Sequence, residues 1–208
     1  HRRRHSFPTR RSSDLPPGLS RRALATLDGA KPCAALGFAA VAAERLAAVD
    51  DAAALLQRVR NRAAVLLAFE QLGAADAALE MAAAYARERK AFGRAIGSYQ
   101  GIKHKLADLY IANQFARVHC YYGAWALAAD AALAAVAQAE GAPELPAAAA
   151  AARVSAGRAA TEAAHEGLHV HGGMGYTWEL DCQLFYRRAK NDGLVLGPQR
   201  VWKEKLVS

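Results

Sequence analysis

The chain has 208 residues, 53% of them hydrophobic, which is enough for one ordinary domain with a real core. Its formal charge is +8, but Arg2, Arg3, Arg4, Arg10 and Arg11 against Asp14 put half of that into residues 1–14. The other basic residues are spread out with few aromatics beside them, which argues against a nucleic-acid binder, and no apolar run is long enough for a signal peptide or a membrane span.

Residues 1–14 are expected to be disordered and foreign to the fold. Residues 15–50 mix Gly, Pro and short apolar runs without a helical period. They read as the tail of a β-rich region and a linker, too short for a stable sheet alone. From about residue 52 the pattern turns helical. Val65, Leu66, Phe69, Leu72 and Leu79 begin a segment running to about Lys90. Gly93, Gly97 and Gly101 then interrupt it, and Ser98 is the expected N-cap of a second helix. In that helix Ile102, Leu106, Leu109, Ala116, Cys120, Ala124 and Leu127 form one apolar face, leaving Lys103, Lys105, Asp108 and Arg117 to solvent.

GAPELP at 141–146 reads as a loop, and a third helix is expected from about Ala147 to His169. A fourth is expected from about Leu180 to Lys190. Pro198 suits the first turn of a short final helix at 199–207. The fold class is therefore all-α, an antiparallel four-helix bundle after a short irregular or β remnant. Its packing should expose faces of small apolar residues. Cys33, Cys120 and Cys182 lie far apart with no CxxC pair, so a zinc site or disulfide scaffold is not expected, and a reducing cytoplasm fits.

Two stretches carry possible chemistry. The first, Arg87-Glu88-Arg89-Lys90-Ala91-Phe92-Gly93-Arg94 followed by Gln100, sets guanidinium groups where a long helix stops. Arginine grips phosphate with paired hydrogen bonds, and Phe92 offers a flat face to an adenine ring. The same residues also complement a helix dipole. The second, HVHGGMGYTWE at 169–179, has three glycines in four positions, which lets a backbone approach a ligand closely or simply turn. His169 and His171 could equally be a hydrogen-bonded pair at a helix end.

Together, ARERKAFGRAIGSYQGIKHKLAD and the later HGGMGYTWE and FYRRAK closely resemble the C-terminal domain of the acyl-CoA dehydrogenase family. The resemblance covers roughly residues 55–208, and residues 22–46 look like that family's exit from its β-domain. It implies a four-helix bundle at a tetramer core, FAD as cofactor, and removal of two hydrogens from an acyl-CoA thioester. It also implies a homo- or hetero-oligomer that passes electrons to an electron-transfer flavoprotein or similar acceptor. By resemblance Arg89 would meet the FAD pyrophosphate of a neighbouring subunit, Phe92 its adenine end, and Gln100 the cofactor by a hydrogen bond. Gly172 and Gly173 would meet the same nucleotide across the interface, with His169 where the family usually has Gln.

The departure concerns the base. Counted from Lys190, the family's usual catalytic Glu falls at Leu196, just before Gly197. The other family position, on the first bundle helix, falls near Arg62-Ala63-Ala64. Neither holds a carboxylate. A partner subunit could supply the base, another carboxylate such as Asp192 or Glu179 could serve, or the chain binds flavin or acyl-CoA without dehydrogenation. Glu179 and Asp181 also fit as caps of the fourth helix. Without most of the family's preceding domains, the 208-residue chain alone is expected to be inactive.

Overall fold

The computed structural model describes residues 15–43, 52–135 and 142–207. The expectation of disorder at 1–14 lies outside them. The chain divides after Asp50 into two compact units. In the first, strands β1 (Leu19–Leu24) and β2 (Cys33–Phe38) pair antiparallel, with Leu19 opposite Phe38 and Leu24 opposite Cys33. Asp28 closes the connecting loop by accepting a bond from the Ala30 amide at 3.0 Å. Leu24, Leu36 and Phe38 are exposed on this two-stranded ribbon.

The second unit is helical. Helices α1 (Ala52–Glu88), α2 (Gln100–Ala135) and α3 (Leu145–His171) are long, and α4 (Cys182–Asp192) and α5 (Gln199–Val207) are short. A small hairpin, β3 (Lys90–Ala91) and β4 (Arg94–Ala95), joins α1 to α2, followed by a 3-10 turn at Ile96–Ser98. The ends of α1 and α3 (Ala82, Ala86, Val170) pack with the start of α2 (Ile102, Leu106). At the other end Ala64 and Val65 of α1 meet Ala126 of α2 and Leu145 and Ala148 of α3. So α1 and α3 run the same way and α2 runs opposite. The core is built mostly of alanine, including Ala68, Ala75, Ala116, Ala152, Ala156, Ala160 and Ala163. Each contributes little volume, so the helices approach closely. A Cβ on Gly123 would stand 3.3 Å from Val65.

The helix boundaries differ from expectation in instructive places. Ser98 does not cap α2: its hydroxyl donates back to the Ala95 carbonyl at 2.7 Å, inside the 3-10 turn. Helix α3 begins at Leu145, with Pro146 in its first turn, where a missing N–H costs nothing. Lys105 and Arg117 are not merely solvated, since Lys105 pairs with Glu166 and Arg117 with Asp76.

The exposed apolar face is also not made of small residues. Ile111, Phe115, Val118, Tyr122 and Trp125 follow one another at steps of three and four along α2 and are all exposed. With Val154 and Ala159 of α3, Ile111 and Phe115 line a groove of about 590 Å³. Helix α2 thus has two apolar faces, one turned to the bundle core and one turned out. Among the described residues no helix is long and apolar enough to cross a membrane.

Candidate functional site

The arginine-rich stretch forms a built corner. Helix α1 ends at Glu88, and the Ile96 amide donates to the Arg89 carbonyl at 2.8 Å, folding the hairpin back on the helix end. Its turn is Phe92-Gly93, with φ of 50° and 81°. A two-residue hairpin turn of this hand needs positive φ at both places, which is costly for phenylalanine. The ring gains no packing in return, since Phe92 is 97% exposed. An aromatic ring held in solvent at a strained position suits contact with something outside the chain. Arg94 lies 3.9 Å over the Tyr99 ring, and the Tyr99 hydroxyl donates to the Ala91 carbonyl at 2.9 Å. Gly97 permits a close approach, because a Cβ there would stand 2.9 Å from the Ala86 carbonyl. Arg89 and Gln100 are exposed.

The glycine-rich stretch comes to the same end of the bundle. Tyr85, whose carbonyl accepts from the Arg89 amide, packs its ring 4.4 Å from that of His171, the last residue of α3. His171 is buried, and its Nδ1 donates to the Gly167 carbonyl at 2.7 Å. His169 is exposed and turned instead toward Glu166 and His165, so the two histidines do not bond each other. After His171 the backbone enters a 3-10 turn at Gly172–Tyr176. Gly172 has φ of +61°, and Gly172 and Gly173 have open space where a side chain would stand. Gly175 is the crowded one: a Cβ there would stand 2.6 Å from the Leu168 carbonyl.

The two possible base positions come to one region, where Leu196 packs on the cluster that holds Ala64. Arg60 of α1 donates from Nε and Nη2 to the Leu196 carbonyl at 3.1 and 2.7 Å, and the Trp202 indole N–H adds a third bond at 3.2 Å. Leu196 has φ of +62°, and its side chain packs on the cluster that contains Ala64, Val65 and Trp202. Arg62 reaches Asp130 at 3.8 Å, and Ala64 is fully buried. Besides Arg60, a second cation stands near this turn. Lys205 lies 4.5 Å over the Trp202 ring, and burial, then the Arg60 charge, push its pKa below the ordinary lysine value.

The two other candidate carboxylates differ in burial. Asp192 is fully buried at the end of α4, beside Arg153. Glu179 is exposed in the turn before α4. Asp181 holds the N-cap position of α4, but its carboxylate makes no cap bond. Sequence reasoning passed over Arg60 and the outward face of α2. The second could have been read from the step of three and four at 111, 115, 118, 122 and 125.

The family model described as acyl-CoA dehydrogenase, C-terminal domain, matches residues 53–206. The chain is 40% identical over 150 residues to acyl-CoA dehydrogenase IpdE2 of Mycobacterium tuberculosis, covering 72% of this chain and 42% of that protein. Among solved structures it is similar to the Tcur3481-Tcur3483 steroid ACAD, at 29% identity and a TM-score of 0.75, covering 92% of this chain and 48% of that one. It is similar also to a chain of the ChsE4-ChsE5 complex from Mycobacterium tuberculosis, at 28% identity and a TM-score of 0.72, covering 92% and 49%. The chain thus spans less than half the length of each of these relatives.

Proposed function

The chain belongs to the acyl-CoA dehydrogenase family, and from that premise we propose that it is the cofactor-gripping C-terminal region of an FAD-dependent enzyme that removes α and β hydrogens from an acyl-CoA thioester. On this reading residues 15–50 are the end of the middle β-domain and a linker, and residues 51–208 are the helical domain. The observation that carries it is the convergence of the Arg89 corner and the Gly172 turn at one end of the bundle, linked through Tyr85 and His171. An exposed guanidinium, an exposed ring and a bare glycine backbone fit the anionic and flat groups of a dinucleotide. Bound there, FAD would accept the hydride, and an electron-transfer flavoprotein or similar acceptor would take the electrons onward.

This chain's own share is binding. Arg89 would hold the pyrophosphate of a neighbouring subunit's FAD, Phe92 would pack at the adenine end, and Gln100 would hydrogen-bond the cofactor. Gly172 and Gly173 let the backbone approach the nucleotide, and His169 makes one hydrogen bond where the family uses Gln. The test is Arg89→Ala in the assembled, full-length protein. A charge-assisted bond to phosphate contributes about 1.5–3 kcal/mol, so the affinity for FAD should fall by roughly tenfold to a hundredfold, read as flavin lost on dilution and gel filtration. Unchanged flavin content would remove Arg89 from the site.

A second reading has specific support: the chain is the non-catalytic, flavin-binding subunit of a heteromeric dehydrogenase. Neither family base position carries a carboxylate, and Arg60 bonds the Leu196 carbonyl. The similar structures named for the pairs ChsE4-ChsE5 and Tcur3481-Tcur3483 fit this. In it the partner subunit supplies the base.

Both readings need a neighbour on the bundle, and the outward face of α2 is suited to one. The purified chain is therefore expected to scatter light with a mass above that of a monomer, rising with concentration. A clean monomer across the range would count against it.

A further inference from the structure

Helix α3 carries, one turn before the glycine-rich turn, a cluster of which the dehydrogenase reading uses only His169. His165 and His169 are four residues apart, so they share a face of the helix. Glu166 sits beside them. Its Oε1 is 3.5 Å from His165 Nδ1, and its Oε2 is 3.8 Å from His169 Nδ1. The two imidazoles meet edge to face at 4.5 Å between ring centres, both with Nδ1 turned to the same carboxylate.

We propose that His165, Glu166 and His169 form a binding site for a divalent transition-metal ion of the Zn²⁺ or Co²⁺ type. Two imidazole nitrogens and one carboxylate oxygen are the donor set such ions prefer, and three protein ligands leave a position open to water or a small ligand. The ligand atoms lie within 4.8 Å of one another. In a tetrahedral site with bonds of about 2.0–2.2 Å, two ligand atoms stand roughly 3.4 Å apart. Side-chain rotations would draw the three atoms in, and the side chains have room to make them, being 51%, 26% and 46% exposed for His165, Glu166 and His169.

The Glu166 carboxylate also accepts a hydrogen bond from the Lys105 ammonium. Lys105 is the site's competitor: its ammonium occupies the Glu166 oxygen an ion would take.

The site does not depend on the dehydrogenase reading, although it shares His169 with the proposed cofactor contacts. Arg89→Ala, which weakens flavin binding, should leave it untouched. The test is titration of the purified chain with Co²⁺ alone, followed by visible absorption and calorimetry. One ion per chain is expected. His165→Ala, His169→Ala and Glu166→Gln should each weaken binding by at least the ~10-fold that losing an outer partner of a metal ligand costs. Lys105→Met should tighten it by removing the competing charge. Circular dichroism should not change in any variant, because these side chains are largely at the surface. Absence of saturable binding, or a His165→Ala/His169→Ala double variant that binds Co²⁺ as tightly as the parent, would overturn the proposal.

Discussion

Replacing Arg153 by alanine is expected to lower the unfolding free energy by roughly 3–5 kcal/mol, the cost of stripping one partner from a buried charged group. Arg153 is fully buried in the middle of α3. Its Nη1 donates to Gln71 of α1 at 2.7 Å, and its Nη2 donates to the carbonyls of Asp192 and, at 3.0 Å, Val195. Burial pulls the guanidinium pKa below the ordinary arginine value, and the charge of Asp192 pulls it back. Without Arg153 the fully buried Asp192 carboxylate loses that countercharge, and the Gln71 oxygen and two backbone carbonyls lose a donor inside the protein. Arg153→Lys should recover only part of the loss, since one ammonium lacks the fork that reaches α1 and the 192–195 segment together. The check is urea denaturation followed by circular dichroism. A loss below about 1 kcal/mol would mean that water replaces the guanidinium at little cost.

The second large effect is a gain. Leu196→Glu in the assembled, flavin-loaded protein should introduce an acyl-CoA-dependent dye reduction that this chain's site otherwise lacks. A positioned proton acceptor contributes about 10²–10⁴-fold. Two influences on the new carboxylate oppose each other. Burial against the Val65 and Trp202 cluster would raise its pKa and make it a better base, while the Arg60 guanidinium at the Leu196 carbonyl would hold it ionised. The gain is therefore expected near the lower end of that range. The measurement pairs Leu196→Glu with removal of the candidate base on any co-purifying subunit. If Leu196→Glu rescues turnover in that background, the site around residue 196 is competent and lacked only its base. If turnover instead disappears with Asp192→Asn or Glu179→Gln in this chain, the base lies here and the heteromeric reading fails.

The order and type of the helices were legible because long apolar periods leave few alternatives. Val65, Leu72 and Leu79 mark α1, and Leu109, Ala116 and Cys120 mark the inner face of α2. Ends were less legible, because they depend on bonds that no period records. Ser98 has the chemistry of a cap, yet its hydroxyl turns back to Ala95. Pro146 looks like a breaker, yet it opens α3. The outer face of α2 was obscured by the inner one, since almost every turn carries apolar residues on both sides. The lack of a carboxylate at residues 62–64 and 196 could be counted from the motif. That Arg60 reaches the Leu196 carbonyl could not, because the contact joins residues 136 apart.

The way residue 196 is held bears on what could replace it. Its left-handed backbone is clamped from outside, by Arg60 and Trp202 on its carbonyl and by Arg153 on the residue before it. None of those bonds involves the side chain at 196. The bonds that shape this turn come from positions 60, 153 and 202, and the side chain at 196 takes no part in them. A lineage could therefore trade leucine for glutamate, or the reverse, without rebuilding the turn. Duplicated copies of one ancestral subunit could then divide their labour, one keeping the chemistry and the other the grip on the cofactor.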